Sequence, residues 1–279
     1  DELGDISRHI IELYKEKDAA IARSEREHEI AIHAVTEKAR VKHQLTNNIN
    51  HELKTPVGAI RGYLDTIAQT PDLPPELRDK FLQSARQNVE RLVNLLSDVS
   101  SMTRLEEGSG SIPLREVDFH DLVYSIDNDL AVTGLAGTMK FTFDIPIDCT
   151  VKANANLLNG MVSNLIRNAA QHSQGKNIGL RLVAESGKYY SFSFYDDGVG
   201  VGSQHLAHLF DRFYRVDTGR SRKVGGTGLG LSIVKNTVEA LGGTITVHNR
   251  STGGLEFVFT LQKWRASDTP TETARETLA

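Results

Sequence analysis

The stretch LTNNINHELKTPVGAIRGYLDTI, residues 45–67, decides how the N-terminal part of this chain folds. Leu45, Ile49, Leu53, Val57, Ile60, Leu64 and Ile67 recur every three or four residues, the spacing that lines one face of an α-helix. After a loop holding Pro71, Pro74 and Pro75 comes a second series: Leu77, Phe81, Ala85, Val89, Leu92, Leu96, Val99 and Met102. Two long amphipathic helices joined by a short loop form an antiparallel hairpin. A lone hairpin leaves its apolar faces wet, so the pattern predicts pairing with a second copy into a dimeric four-helix bundle.

Upstream, Leu3, Ile6, Ile10 and Leu13 step by three, four and three. Residues 15–40 are almost all Glu, Lys, Arg, Ala, His and Ile, which predicts a long solvated helix. It reads as part of a coiled coil, since an isolated helix has nothing to cover its apolar stripe. Downstream, the Gly- and Ser-rich segment Glu106–Ser111 marks a boundary. Beyond it, alternating apolar runs predict strands at Lys140–Ile145, Asn177–Ala184, Tyr189–Tyr195, Thr244–Val247 and Leu255–Leu261. Helical patterns lie at Ala155–His172 and Leu229–Leu241, and the mixture indicates an α/β sandwich. Ser267–Ala279 is polar without periodicity and reads as disordered. The expected division is 1–40 signalling helix, 41–110 helical hairpin, 111–265 α/β domain and 266–279 tail.

Composition narrows the function. A chain of 279 residues holds about two domains. With 39% hydrophobic and 24% charged residues it is an ordinary globular chain. A net charge of −4 with no dense Lys/Arg cluster gives no electrostatic source for nucleic-acid binding. The single cysteine, Cys149, forms no internal disulfide and no CxxC metal site, which points to a reducing compartment. No run approaches the roughly 18 to 20 apolar residues of a membrane span, and no signal-peptide pattern is present. Because the chain opens at Asp1 inside an amphipathic pattern, it reads as the soluble part of a longer protein.

Several groups of residues carry chemistry. His51 lies about 200° round the helix from Ile49, off the apolar stripe. Alone, such a histidine is ordinary surface chemistry. However, Pro56 inside a helix frees the carbonyl of Glu52 at a cost of about 3 kcal/mol, Glu52 adjoins the imidazole, and Thr55 shares its face. Asn164 and Asn168 sit four apart on one helix face, an arrangement that is otherwise incidental. Asp196-Asp197-Gly198-Val199-Gly200 ends a strand and could equally be a turn. Phe210-Asp211-Arg212-Phe213-Tyr214-Arg215 could be core packing. Gly225-Gly226-Thr227-Gly228-Leu229-Gly230-Leu231 could be a flexible loop, but it leads into a helix whose amides and positive end suit phosphate oxygens. It follows no strand and lacks the Lys-Ser/Thr pair, so neither a Rossmann nor a Walker site fits.

In these residues the chain resembles the sensor histidine kinases of two-component systems. His51-Glu52-Leu53-Lys54-Thr55-Pro56 reproduces that family's phosphoacceptor box, and the later groups follow its asparagine, glycine and phenylalanine boxes in order across residues 41 to about 262. The resemblance implies that His51 attacks the ATP γ-phosphate, that Glu52 acts as base toward the other ring nitrogen, and that Thr55 positions a water for dephosphorylation. It implies that Asn168 binds Mg²⁺, that Asn164 lines the pocket, and that Asp196 accepts from the adenine amino group. Gly198 and Gly200 would let backbone lie against the base, and Arg215 would reach the phosphates beside Gly226, Gly228 and Gly230. Thr218–Val224 would be the lid. The fold implied is the GHKL (Bergerat) ATP-binding sandwich shared by gyrase, Hsp90 and MutL. Where the family has Lys and Tyr, this chain has Gln171 and His172, which removes one basic phosphate contact. Asp1-Glu2-Leu3-Gly4-Asp5 resembles the end of a HAMP relay module, implying a membrane-spanning sensor upstream.

The resulting expectation is the cytoplasmic core of a bacterial inner-membrane histidine kinase, homodimeric, using ATP and Mg²⁺. It would transfer phosphate from His51 to the Asp of a response regulator receiver domain and dephosphorylate that regulator, with no role for nucleic acid. Two rivals remain open at this point. One is another enzyme on the same ATP fold, an Hsp90-like ATPase or an anti-sigma-type serine kinase, which would leave His51 without a purpose. The other is a non-catalytic dimer scaffold that binds nucleotide.

Overall fold

The computed structural model describes residues 2–106, 112–216 and 227–265, with side-chain detail continuous through the helical region from residue 42. Contacts divide the chain at Gly62/Tyr63, and each part is described by itself. The first is helical throughout. It is most of α1 (Glu2–Gln69), which runs unbroken through Pro56. The apolar stripe read above is partly covered: Leu45, Ile49, Leu53 and Ile60 are half-buried, while Val57 is exposed. The side chains of Leu3, Ile6, Ile10 and Leu13, and with them the HAMP-like opening, lie outside the described residues. Among the described residues no helix is long and apolar enough to cross a membrane.

In the second part the last turns of α1 pack on α2 (Pro75–Glu106), with Tyr63 stacked on Phe81 at 5.6 Å between ring centres. α2 carries two stripes rather than the single one expected. Leu95, Asp98 and Met102 are buried, whereas Leu82, Val89, Val93 and Leu96 stay exposed. The buried stripe faces the α/β domain, an interaction that helix periodicity alone does not reveal. The linker residues 107–111 lie outside the described residues, as do 266–279.

The α/β domain begins with β1 (Arg115–Asp118), which pairs antiparallel with β3 (Thr150–Ala153) in a two-stranded ribbon. Between them come α3 (Phe119–Thr133) and β2 (Lys140–Asp144). There follow α4 (Ala155–His172), β4 (Asn177–Glu185), β5 (Tyr189–Asp196) and the short α5 (Ser203–Leu206). The domain closes with α6 (Gly230–Ala240), β6 (Ile245–Asn249) and β7 (Leu255–Gln262). The main sheet runs β2-β4-β5-β7-β6; β2 and β4 are parallel and the other neighbours antiparallel.

Alternation explains the sheet. In β7, Leu255, Phe257, Phe259 and Leu261 are buried and the residues between them are half-buried, the period-two pattern of a sheet with one face on a core. Phe192 and Phe194 of β5 face Phe259 and Phe257 in register, and Phe192 meets Phe119 of α3 edge-on at 4.7 Å. Leu158, Met161, Val162, Leu165 and Ile166 of α4 and Val234 and Val238 of α6 complete this core. Each fully buried side chain of this size contributes about 1.5–3 kcal/mol. Helices on one face and a five-stranded sheet make the expected two-layer sandwich.

Candidate active site

α1 carries His51 exposed on its surface, beside a half-buried Glu52. Thr55, one turn on and also exposed, donates its hydroxyl to the His51 carbonyl at 3.3 Å. That bond is ordinary for a helical threonine. It also fixes the hydroxyl proton inward, so the oxygen's lone pairs point outward as acceptors. Pro56 is buried.

The remaining candidates lie in the α/β domain. β5 runs one residue further than expected and delivers Asp196, only 2% exposed, to its tip. Its Oδ1 accepts from the Gly198 N–H at 2.9 Å and its Oδ2 from the Leu255 N–H at 3.4 Å. Burial raises its pKa above the usual carboxylate value, against the pull of those two amides. Its neighbour Asp197 turns outward. It accepts from the amides of Lys176 and Asn177 at 2.7 and 2.8 Å and from Asn177 Nδ2 at 2.7 Å, and these bonds lower its pKa. The two aspartates therefore divide the work: Asp197 ties the α4–β4 loop to the strand end and leaves the Asp196 side chain facing in.

Gly198 and Gly200 have protein-internal reasons to be glycine. A Cβ on Gly198 would lie 2.0 Å from the Ser173 carbonyl oxygen, and Gly200 has φ +65° with Asn249 Oδ1 2.5 Å from where its Cβ would be.

α4 places its apolar residues on the core and holds Asn164 at its edge, 8% exposed, with Arg167 Nη1 donating to its Oδ1 at 3.3 Å. Asn168, one turn later, is half-buried. A Cβ on Gly230, the first residue of α6, would sit 3.8 Å from Asn164 Oδ1, so the two boxes are neighbours. α6 begins at Gly230, one residue later than expected, with Leu229 at its N-cap position and no side-chain cap, leaving first-turn amides for a ligand. Gly225, Gly226 and the lid segment Thr218–Val224 lie outside the described residues. The flanks on either side are stitched together: Phe213, at φ +63°, donates its N–H to the Gly228 carbonyl at 2.8 Å.

Phe210 packs edge-on against Phe257 at 6.2 Å, the packing role expected of it. Arg215 is half-buried near the end of α4. There, crowding of the ring first and the Arg215 charge second hold His172 below the ordinary imidazole pKa, although part of the ring remains open to water. Gln171, which stands where the family has lysine, supplies no cation there.

Sequence reasoning missed a contact from α2. Asp98, 7% exposed, accepts from the Thr227 hydroxyl of the glycine-rich loop at 2.8 Å. Beside it a cavity of about 100 Å³ is lined by Asn94, Ser97, Asp98, Asn164, Arg167 and Ile233 among others. A buried aspartate on a helix face of Leu95 and Met102 was the available signal. The β6–β7 turn was missed as well; Arg250 bonds to the strand end that carries Asp196, and Asn249, the last residue of β6, to Val201 in the loop beyond it.

Comparison with known proteins agrees with this assembly. Residues 41–108 match the His Kinase A (phospho-acceptor) domain, and residues 153–265 match the histidine kinase-, DNA gyrase B-, and HSP90-like ATPase family. The chain is 32% identical over 225 residues to the phosphate regulon sensor protein PhoR of Haemophilus influenzae, covering 80% of this chain and 52% of that protein. It is 30% identical over 236 residues to the sensor protein kinase WalK of Staphylococcus aureus, covering 82% and 56%. It thus spans about half the length of these relatives. Among solved structures, the Acinetobacter baumannii histidine kinase AdeS shares the fold, with a TM-score of 0.58 and 23% identity over 76% of this chain and 96% of that one. Full-length ShkA, solved in complex with AMPPNP, aligns with a TM-score of 0.55 and 26% identity over 77% of this chain and 45% of that one. A phospho-acceptor helix and a GHKL-type ATPase sandwich in one chain, with sensor kinases as relatives, place it in a family: this chain belongs to the sensor histidine kinases of two-component systems.

Proposed function

We propose that this chain is the cytoplasmic core of a membrane sensor kinase that phosphorylates His51 from ATP and passes the phosphoryl group to an aspartate of a response regulator. The observations that carry the reading are an exposed histidine beside a half-buried carboxylate on α1 and, in the α/β domain, a buried Asp196 at the tip of β5 together with Asn164 beside the uncapped start of α6. One imidazole nitrogen attacks the γ-phosphorus, the bond to the bridging oxygen breaks, and ADP leaves. Glu52 takes the proton from the other ring nitrogen, keeping the phosphoramidate neutral at the ring.

In the nucleotide site, Asp196 accepts from the adenine amino group with lone pairs that its two backbone donors leave free. The amides at the start of α6 and Arg215 meet the phosphates. Asn168 fits Mg²⁺: it is a neutral, half-buried carboxamide one turn from Asn164, and its oxygen suits a hard cation that takes most of its ligands from phosphates and water. When bound, the ion screens charge on the phosphates. The exposed series Leu82, Val89, Val93 and Leu96 on α2 supports a homodimer, each step being three, four or seven residues. The outward lone pairs of Thr55 support a regulator phosphatase activity, in which its hydroxyl accepts from a water aimed at the aspartyl phosphate.

The test is transfer of label from γ-labelled ATP to the full chain. Acid-labile, alkali-stable label is expected. Absence of label, or acid-stable label, overturns the reading in favour of the ATPase, scaffold or serine-kinase rivals.

A further inference from the structure

The end of β6 and the turn into β7 hold the strand end that carries Asp196, and the loop after it, at three points. First, Arg250 Nη1 donates to the Asp196 carbonyl oxygen at 3.0 Å, and its guanidinium carbon stands 4.4 Å from the centre of the Tyr195 ring. That ring in turn lies across Gly179, where a Cβ would meet it at 2.2 Å. Second, Asn249 makes a two-point pair with the backbone of Val201, accepting its N–H at 3.0 Å and donating to its carbonyl at 2.7 Å. Third, the turn is closed by Arg250 N–H donating to Gly254 O at 3.0 Å, and Gly254, at φ +87°, lies so close that a Cβ would stand 2.1 Å from the Asp196 carbonyl oxygen. The next residue, Leu255, donates its N–H to Asp196 Oδ2.

These contacts do different work from those of the core. The Asp196 carbonyl sits at the end of its strand, where Arg250 supplies a side-chain donor. Removing that donor takes away one bond that holds the 196–197 peptide, which gains freedom to rotate. The carboxylate direction follows that peptide. Asn249 fixes Gly200–Val201 and so the loop that contains Gly198, the other donor to the carboxylate. The free lone pairs of Asp196 are thus aimed by a frame whose outer half is the β6–β7 turn.

Resting on the reading that Asp196 accepts from the adenine amino group, we infer that Arg250 and Asn249 are positioning residues that set purine selectivity, by holding the Asp196 carboxylate for a 6-amino rather than a 6-oxo base. A 6-oxo purine turns an acceptor toward the carboxylate, and a rigid frame cannot swing away to relieve the repulsion. A loosened frame loses part of the bond to the amino group and also part of the repulsion, so discrimination falls more than affinity.

The experiment compares binding of ATP and inosine triphosphate, which differ at the 6-position, by calorimetry on the full chain. The wild type should prefer ATP by more than about tenfold. Arg250→Ala and Asn249→Ala should each weaken ATP binding by about tenfold and inosine triphosphate binding by about twofold or less, so that the preference collapses. Arg250→Lys, which can still donate to the carbonyl, should recover most of it. If both nucleotides weaken in the same proportion, or only the melting temperature falls, the residues are merely structural and the inference is overturned. Should Arg250→Ala fail to fold, Asn249→Ala carries the same criterion. Asp196→Asn separates the two levels: an unchanged preference there refutes the adenine reading itself, whereas a lost preference there with an intact one in Arg250→Ala refutes only the positioning role.

Discussion

His51 and Asp196 stand in opposite surroundings. His51 is exposed on a helix whose regularity continues through it, and the Thr55 hydroxyl bonds to its carbonyl rather than to its imidazole. Asp196 is buried, bonded at both carboxylate oxygens and at its carbonyl, and packed against Gly254. Under the proposed function the difference follows from what each meets. A nucleophile that takes phosphate from one partner and gives it to another has to be approached from solvent twice. A base acceptor gains selectivity only when its lone pairs are fixed and water is kept away.

The largest effects should separate these regions cleanly. His51→Gln should abolish label transfer while ATP affinity stays within about twofold of wild type, because no nucleotide contact is assigned to His51. Label retained on the variant would break the comparison at once. Asn168→Ala should do the reverse: the nucleophile is left intact, and most of the Mg²⁺-dependent gain in ATP affinity disappears. Calorimetry with and without Mg²⁺ reads this directly, and an unchanged Mg²⁺ dependence counts against the assignment.

Around His51 a finer division is expected. Glu52→Ala should slow autophosphorylation by about 10²- to 10⁴-fold, the usual worth of a positioned base. Thr55→Ala should spare it and reduce loss of label from a phosphorylated regulator. If Thr55 only bonds back to the His51 carbonyl, the variant shifts the melting curve and leaves the phosphatase rate per folded molecule unchanged.

The same contrast governs what could be read from sequence. The helix around His51 is legible because a 3.6-residue period needs no distant partner, and β5 and β7 because their alternation is strict. β1, β3 and α3 escaped. The ribbon strands are four residues each, and only their pairing with each other makes them strands. α3 hides its period behind Asp127, Asn128 and Asp129, although Asp118 caps it through the Asp121 N–H and Gly134 ends it at φ +63°. β6 runs on through His248 and Asn249 because Glu256 and Leu255 pair with them, which no local propensity encodes. The Asp-Asp-Gly motif was visible, but the opposite duties of its two aspartates depend on residues 20 and 59 positions away.

Those two aspartates allow a test by pH. The Asp197 pKa is lowered, chiefly by its bonds to Asn177. Its contribution is therefore fully present above its unfolded value of about 3.8 and lost as pH falls through the lower folded value. Asp197→Asn keeps one acceptor oxygen and turns an amino group toward the donors. After solvent screening of this exposed side chain it should cost about 1 kcal/mol at pH 7, and the deficit should shrink below about pH 3.8 as the wild-type carboxylate takes up its proton. A deficit independent of pH would show that geometry, not charge, holds the loop.

The smallest expected effect concerns Asp98, which shares the burial of Asp196 but lies on α2. Burial raises its pKa first of all, while the Thr227 hydroxyl and then the Arg167 charge pull it back down. With the folded value above about 3.8, the folded protein holds this proton more tightly than the unfolded chain, so stability from this group falls as pH rises through that window. At pH 7 the charge is a net cost. Asp98→Asn keeps a carbonyl oxygen to accept from Thr227 and removes the charge, and its amino group faces a cavity lined by Asn94 and Ser97. We expect a gain of about 0.5–1 kcal/mol at pH 7, a rise of roughly 1–4 °C in the melting temperature, and no gain below about pH 4. Scanning calorimetry of both proteins across this range decides the matter. A loss of stability at pH 7 would mean that the Arg167 charge outweighs burial, making Asp98 an anchor of α2 rather than a buried charge carried at a cost.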